Sequence, residues 1–119
     1  MSYIDGFVIP VPLEKKQAYI EMAQKAQAIY LEYGALRVVE AWGDDLQKGK
    51  VNDFRTAVIA EESEAVVFSW IEWPDKATRD AGNAKIMTDH RMQMSEDMPF
   101  SGARLIYGGF ATLLDSKSK

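Results

Sequence analysis

Hydrophobic and polar positions along this 119-residue chain state one arrangement twice. In the first half, an apolar run from Tyr3 to Val11 leads into a helix-spaced stretch from Leu13 to Tyr33, then a second run from Leu36 to Trp42. In the second half the parts are Ala65 to Trp73, Asp75 to about Arg91, and Ala103 to Leu113. Two strand–helix–strand units of this size predict an α+β domain, a ferredoxin-like βαββαβ sandwich.

The runs carry further detail. Phe7, Val8, Ile9 and Val11 put apolar side chains on both faces of the first strand, as expected for a strand covered on both sides. Pro10 and Pro12 are expected to end it, because proline cannot donate to a ladder. Tyr19, Ala23, Ala26, Tyr30 and Tyr33 then recur at three- and four-residue spacing, the stripe of an amphipathic helix, and Gly34 stands where a left-handed C′ residue is wanted. The polar stretch from Gly43 to Asp53 reads as a loop. Phe54 to Ala60 predicts an extra central strand, joined by a hairpin through Glu61 to Glu64 to the strand that follows. Asp75 is the expected N-cap of the second helix, whose inner stripe reads as Ala77, Ala81 and Ala84 with Gly82 alongside. Met87, Met92, Met94 and Met98 read as packing beneath a loop. Gly108-Gly109 predicts a bulge, or the close approach of another backbone, in the last strand. The domain is expected to span 1–114, with 115–119 a disordered polar tail.

Composition narrows the function classes. The net charge of −4, with no Arg/Lys cluster longer than Lys15-Lys16, argues against a nucleic-acid partner. With no cysteine, thiolate chemistry and disulfides are excluded, and a reducing cytoplasm is the expected compartment. The start, with Asp5 inside its apolar run and no basic segment before it, does not read as a signal peptide. No apolar stretch approaches the roughly 18 residues of a membrane span, so no membrane partner is expected.

The order YIDGFVIPVP, YGALRVVEAW, FSWIEWPDKATRDAGN and MPFSGARLIYGGF resembles the small bacterial YbaA-like family, which carries no assigned activity. The likeness runs from about Tyr3 to Leu114 and is most specific over Phe68 to Pro74 and Met98 to Phe110. It implies the dimeric α+β barrel superfamily, in which two ferredoxin-like protomers pack sheet against sheet. Strands apolar on both faces point the same way, since two helices can cover only one face of a sheet. The resemblance leads one to expect D-P-R-M after the second helix, where this chain has Asp89-His90-Arg91-Met92. The lone His90 is thus read as an exposed residue near a helix C-terminus, not a general base.

The candidate chemistry lies on the strands. Asp5, Glu40, Arg55, Glu72 and Arg104 interrupt apolar runs, where an unpaired buried charge would be costly. Two arrangements fit them. Arg55 and Arg104 neutralise Glu40 and Glu72 in a structural ion-pair network. Alternatively an arginine anchors a pocket lined by aromatics, which would hold a small anionic or aromatic ligand. Alternation puts Glu40 with Trp42 on one face, Trp70 with Glu72, and Arg104 with Ile106, leaving Tyr107 on the opposite face. The candidate ligand-binding set is therefore Glu40, Trp42, Arg55, Trp70, Glu72, Arg104 and Tyr107. Asp44, Asp45 and Asp53 match no cation-loop spacing, and no metal or cofactor is expected. The expected protein is a cytoplasmic homodimer binding a small organic ligand in a pocket at the sheet. The alternatives are a cofactor-independent monooxygenase or isomerase acting on an aromatic substrate, and a structural module with no pocket.

Overall fold

A computed structural model describes residues 2–93 and 98–118. Its elements are β1 (Tyr3–Pro12), α1 (Lys16–Glu32), β2 (Arg37–Trp42), α2 (Phe54–Ala57), β3 (Glu64–Trp73), α3 (Lys76–Thr88) and β4 (Ile106–Ala111), with short 3-10 turns at Leu13–Lys15 and His90–Met92. The strands form one sheet in the order β2-β3-β1-β4, every neighbouring pair antiparallel.

Register sorts the side chains onto two faces. Asp5, Phe7, Ile9 and Val11 of β1 stand opposite Ile71, Ser69, Val67 and Ala65 of β3, and this inner face carries α1 and α3. At one end Ile9, Val11 and Val67 pack with Tyr19 and Ala23 of α1; at the other Ile71 and Trp73 pack with Ile29 and Ile86. Trp73 is wholly enclosed, and burying a side chain of that size stabilises by more than the roughly 1.5–3 kcal/mol of a smaller apolar residue. The outer face is different. Ile4, Gly6 and Val8 with Phe68, Trp70, Ile106 and Phe110 line an open apolar concavity of about 550 Å³.

Several boundaries depart from the sequence reading. β1 runs through Pro10 because that residue's carbonyl points to the β4 side, where it accepts a hydrogen bond from the Ser101 amide at 3.2 Å. Paired β4 has already ended at Ile106 opposite Val8, so the missing N–H of Pro10 leaves no ladder partner unmet. Phe54 to Ala60 is not a strand. Asp53 and Thr56 form a reciprocal capping box that starts α2, and these local hydrogen bonds override the β-favouring composition. The segment 61–64 thus joins α2 to β3, not two strands. The last strand starts at Ile106, because the Leu105 amide turns back to the Ser101 carbonyl and holds Ala103 to Leu105 in a turn.

Asp75 does cap α3, accepting from the Thr78 amide at 2.7 Å, and Gly34 ends the α1 turn with φ +110°. The inner stripe of α3 is not the alanine set: Ala77, Ala81 and Ala84 face outward, and Gly82 and Ile86 are buried. Gly109 sits in regular register opposite Asp5, without a bulge. A Cβ there would lie 2.4 Å from the Tyr3 hydroxyl and 2.7 Å from Arg79 Nη2, so the glycine makes room for side chains, not for a backbone. Among the described methionines, Met92 packs against the core, whereas Met87 is exposed; Met94 lies outside the described residues.

Candidate functional site

Glu40 lies on the inner face of β2, directly opposite Ser69 of β3. Ser69 Oγ donates to Glu40 Oε2 at 2.7 Å, and the hydroxyl of Tyr19, reaching down from α1, donates to Glu40 Oε1 at 2.5 Å. Burial, and then the charge of Glu40 itself, push the Tyr19 phenol far above its ordinary pKa, so it remains a proton donor to the carboxylate. Tyr30 is pushed the same way, by burial first and then by the charges of Asp5 and Glu40. Beside this pair, Gln27 Nε2 donates to the Val38 carbonyl at 3.2 Å, fixing the amide along the edge strand.

This constellation belongs to a cleft of about 220 Å³ between α1, the sheet and the segment that precedes β4. Phe7 and Tyr107 form one wall, stacked with ring centroids 6.0 Å apart. Phe100 closes one end, meeting Tyr19 edge-on at 6.3 Å, and Met92 and Tyr30 contribute to the opposite side. Phe100 is positioned by its neighbour Ser101, whose amide is tied to Pro10 of β1. The cleft can do two things chemically: offer apolar and aromatic surface, and present a carboxylate whose orientation is fixed by two hydroxyls.

The seven sequence candidates do not share one site. Glu40 and Tyr107 line the cleft. Trp42, at the end of β2, packs against the core with the Lys16 ammonium 4.8 Å from its ring centre. Trp70 and Glu72 are on the outer face, where Trp70 Nε1 donates to Glu72 Oε2 at 3.3 Å and Arg37 stands 3.7 Å from the same oxygen. Arg55 and Arg104 converge on Glu64, a residue outside the candidate set. Arg104 meets its carboxylate through Nη1 and Nη2 at 2.7 Å each and also donates to the Ile59 carbonyl at 2.7 Å. Arg55 donates to the carbonyls of Glu64 and Glu61 at 2.9 and 2.6 Å. The expected pairing of Arg55 and Arg104 with Glu40 and Glu72 is therefore replaced by a clasp on Glu64. Because Arg104 sits in a turn and not in β4, strand alternation does not govern where it points.

The Glu64 carboxyl is held below its usual pKa, chiefly by the Arg104 guanidinium. The clasp covers one end of the outer face, where Val58, Val66 and Pro10 are fully or nearly fully enclosed. It includes Ile59, a β-branched residue at φ +50°. Asp5 makes a second buried ion pair: Arg79 donates to it through Nε and Nη2 at 3.0 and 2.8 Å, and Trp73 Nε1 at 3.0 Å. These donors fix α3 to the sheet and leave Asp5 turned away from the cleft.

His90 is exposed in the turn after α3, beside Asp89, whose carboxyl is held well below its normal range by Arg91 and Tyr33. Asp53 is spent on capping and on the Gly49 amide, and Asp45 accepts from Gln47. Among the described residues no group of three or more His, Cys, Asp or Glu side chains is placed to hold a metal ion. Among them, too, no helix is long and apolar enough to cross a membrane. Tyr19, Ser69, Gln27 and Tyr30 complete the cleft but were not among the sequence candidates. Ser69 alone carried a readable sign, a hydroxyl at the inward parity of β3 between Val67 and Ile71.

Comparison with known proteins places this chain in a family. A family profile described as "Protein of unknown function (DUF1428)" matches residues 2–102. The "Uncharacterized protein YbaA" of Escherichia coli K12 is 59% identical over 116 residues, covering 97% of this chain and 99% of that protein. The proteins of the same description from Escherichia coli O157:H7 and Shigella flexneri match to the same extent.

Proposed function

The chain belongs to the DUF1428 family of unknown function, and we propose that it is a homodimeric protein that binds a small organic molecule in the cleft above Glu40. The observation that carries the reading is the Tyr19–Glu40–Ser69 constellation at the floor of an aromatic-walled cleft. A carboxylate set among Ile9, Val38 and Ile71 is expensive to desolvate, and a core residue would serve packing better. Convergent polar groups in an apolar recess are the ordinary make-up of a ligand site. The volume fits one ring or a short chain, since 220 Å³ is about seven times the share of a water in the liquid. Arg104, bound to Glu64, does not supply the anion anchor expected from the sequence.

The two strand–helix–strand units and the order β2-β3-β1-β4 support a ferredoxin-like reading of the fold. The open outer face supports the homodimer. The two long helices α1 and α3 lie on its opposite side, α2 meets it only at one end through Phe54, and Phe68, Ile106 and Phe110 are 45%, 46% and 60% exposed in the single chain. A second sheet packed on this face gives a closed, self-complementary contact, the arrangement of a dimeric α+β barrel.

The cleft is tested by NMR-detected titration with single-ring probes such as phenol and benzylamine. Binding is expected to shift amides of β2, α1 and the 98–107 segment. Ala26→Phe, which projects a ring into the cleft from α1, should abolish those shifts with the fold retained by circular dichroism. Shifts confined to other surfaces, or unaffected by the filling variant, would refute the assignment.

A further inference from the structure

We propose that the ligand of this cleft is a small organic cation, an amine carried on a single ring or a short apolar chain. The inference rests on the cleft being a binding site and names the chemistry it selects.

The first argument is the direction of the hydrogen bonds. The Tyr19 and Ser69 hydroxyl protons are both committed to Glu40, and one amide proton of Gln27 is committed to the Val38 carbonyl. What these groups still offer is mainly lone pairs: on the carboxylate, on the two hydroxyl oxygens and on the Gln27 carbonyl oxygen. A ligand that brings N–H donors satisfies them. One that brings only acceptors leaves them facing other lone pairs. The hydroxyls of Tyr30 and Tyr107 can turn either way and so do not decide the matter.

The second argument is charge. Glu40 is the only Asp, Glu, Lys, Arg or His among the described residues lining the cleft. Four basic residues of the flanking elements are engaged elsewhere. Arg104 holds Glu64, Arg79 holds Asp5, Arg91 holds Asp89 and Glu32, and Lys16 lies over Trp42. The cleft thus offers one negative charge that the protein does not neutralise within it. An anionic ligand would meet that charge without a counter-ion inside the cleft.

The third argument is the walls. Phe7, Tyr30, Phe100 and Tyr107 surround the carboxylate with aromatic surface, whose negative ring faces attract cations and whose area shields the ion pair from water. A carboxylate in an aromatic-lined recess combines the two recognition elements of an ammonium site.

The experiment compares four single-ring probes on the intact protein near neutral pH: benzylamine, aniline, benzyl alcohol and benzoate. Benzylamine is charged there, whereas the aniline nitrogen is not. Benzylamine should bind about tenfold or more tightly than aniline or benzyl alcohol, and benzoate should produce no cleft shifts, consistent with the electrostatic contrast. Glu40→Gln, which can still accept from a hydroxyl, should bring benzylamine to the level of benzyl alcohol. The four-probe comparison in the unaltered protein stands even where that variant folds poorly. Equal binding of benzyl alcohol and benzylamine, or preferred binding of benzoate, would overturn the cation assignment and leave the cleft standing. Absence of cleft shifts with every probe would overturn both.

Discussion

Arg104 and Glu64 face each other through two parallel hydrogen bonds of 2.7 Å, with the carboxylate side chain only 4% exposed and the guanidinium 25%. This fork-to-fork geometry is the strongest form of the pair, and it bridges the segment before β4 to the first residue of β3. Removing one partner leaves a buried charge with most of its compensation gone. Arg104→Ala is therefore expected to destabilise by about 2–4 kcal/mol, and Glu64→Gln by less. Urea denaturation of the two single variants and the double variant should give a double variant well short of the sum. A strictly additive cycle would show the pair to be energetically uncoupled.

The same pair sets an acid limb. Glu64 has a folded-state pKa below that of an unfolded glutamate, because the Arg104 guanidinium favours its charged form. Its contribution is present above the unfolded carboxylate range and is lost as pH falls through the folded value. Asp89, also lowered, acts in the same direction. The urea midpoint should fall progressively below about pH 4.5, and Arg104→Ala should flatten that fall. An unchanged slope in the variant would remove Glu64 from the explanation.

Gly82 offers a case where helix propensity and packing oppose one another. Alanine in a helix interior is favoured over glycine by about 1 kcal/mol. Here a Cβ would lie 2.7 Å from two ring atoms of the enclosed Trp73 and 2.9 Å from the Tyr33 carbonyl oxygen. Neither can retreat, since the ring is wedged in the core and the carbonyl is main chain. Gly82→Ala should lower stability by about 1–3 kcal/mol despite the better propensity. A raised melting temperature would contradict the packing argument.

The proposed dimer is tested on the outer face. Trp70→Glu places a charge at its middle, next to Phe68, without touching the cleft on the other side of the sheet. Sedimentation at micromolar concentration should give a dimer for the unaltered chain and a monomer for the variant. A monomeric unaltered chain would end the sheet-to-sheet proposal, while the cleft assignment would stand on its own test.

The alternating pattern was enough to locate four strands and two long helices, because burial on one or both faces imposes a period that composition preserves. Glu40 was legible for a related reason: a carboxylate inside Val38-Val39-Glu40-Ala41-Trp42 needs a partner wherever it points. Which partner was not legible. Ser69 meets Glu40 only through the β2–β3 register, and Tyr19 only through the way α1 lies on the sheet. Arg104 reads as a strand residue because the apolar run starts at Ala103, whereas the backbone turn from Ser101 to Leu105 frees it to reach Glu64. Phe54 to Ala60 misled for the opposite reason. Its β-favouring side chains are outweighed by short-range hydrogen bonds from Asp53, Thr56 and Arg55, which an apolar pattern does not register. Pro10 shows the same limit, as its harmlessness depends on where a strand far along the chain stops.

The turn at Ile59 carries a consequence for the order of events in folding. A β-branched residue at φ +50° does not hold that shape by preference, and the Arg104 guanidinium that grips its carbonyl comes 45 positions later in the chain. The turn can lock only after α3 has crossed the sheet and the segment before β4 has been placed. It should accordingly be among the last parts to settle and the first to let go. In native-state hydrogen exchange, amides of the 54–63 segment would open together with those flanking Arg104, well before the β1–β3 pair. Equal protection in loop and central strands would mean that the latch closes with the rest.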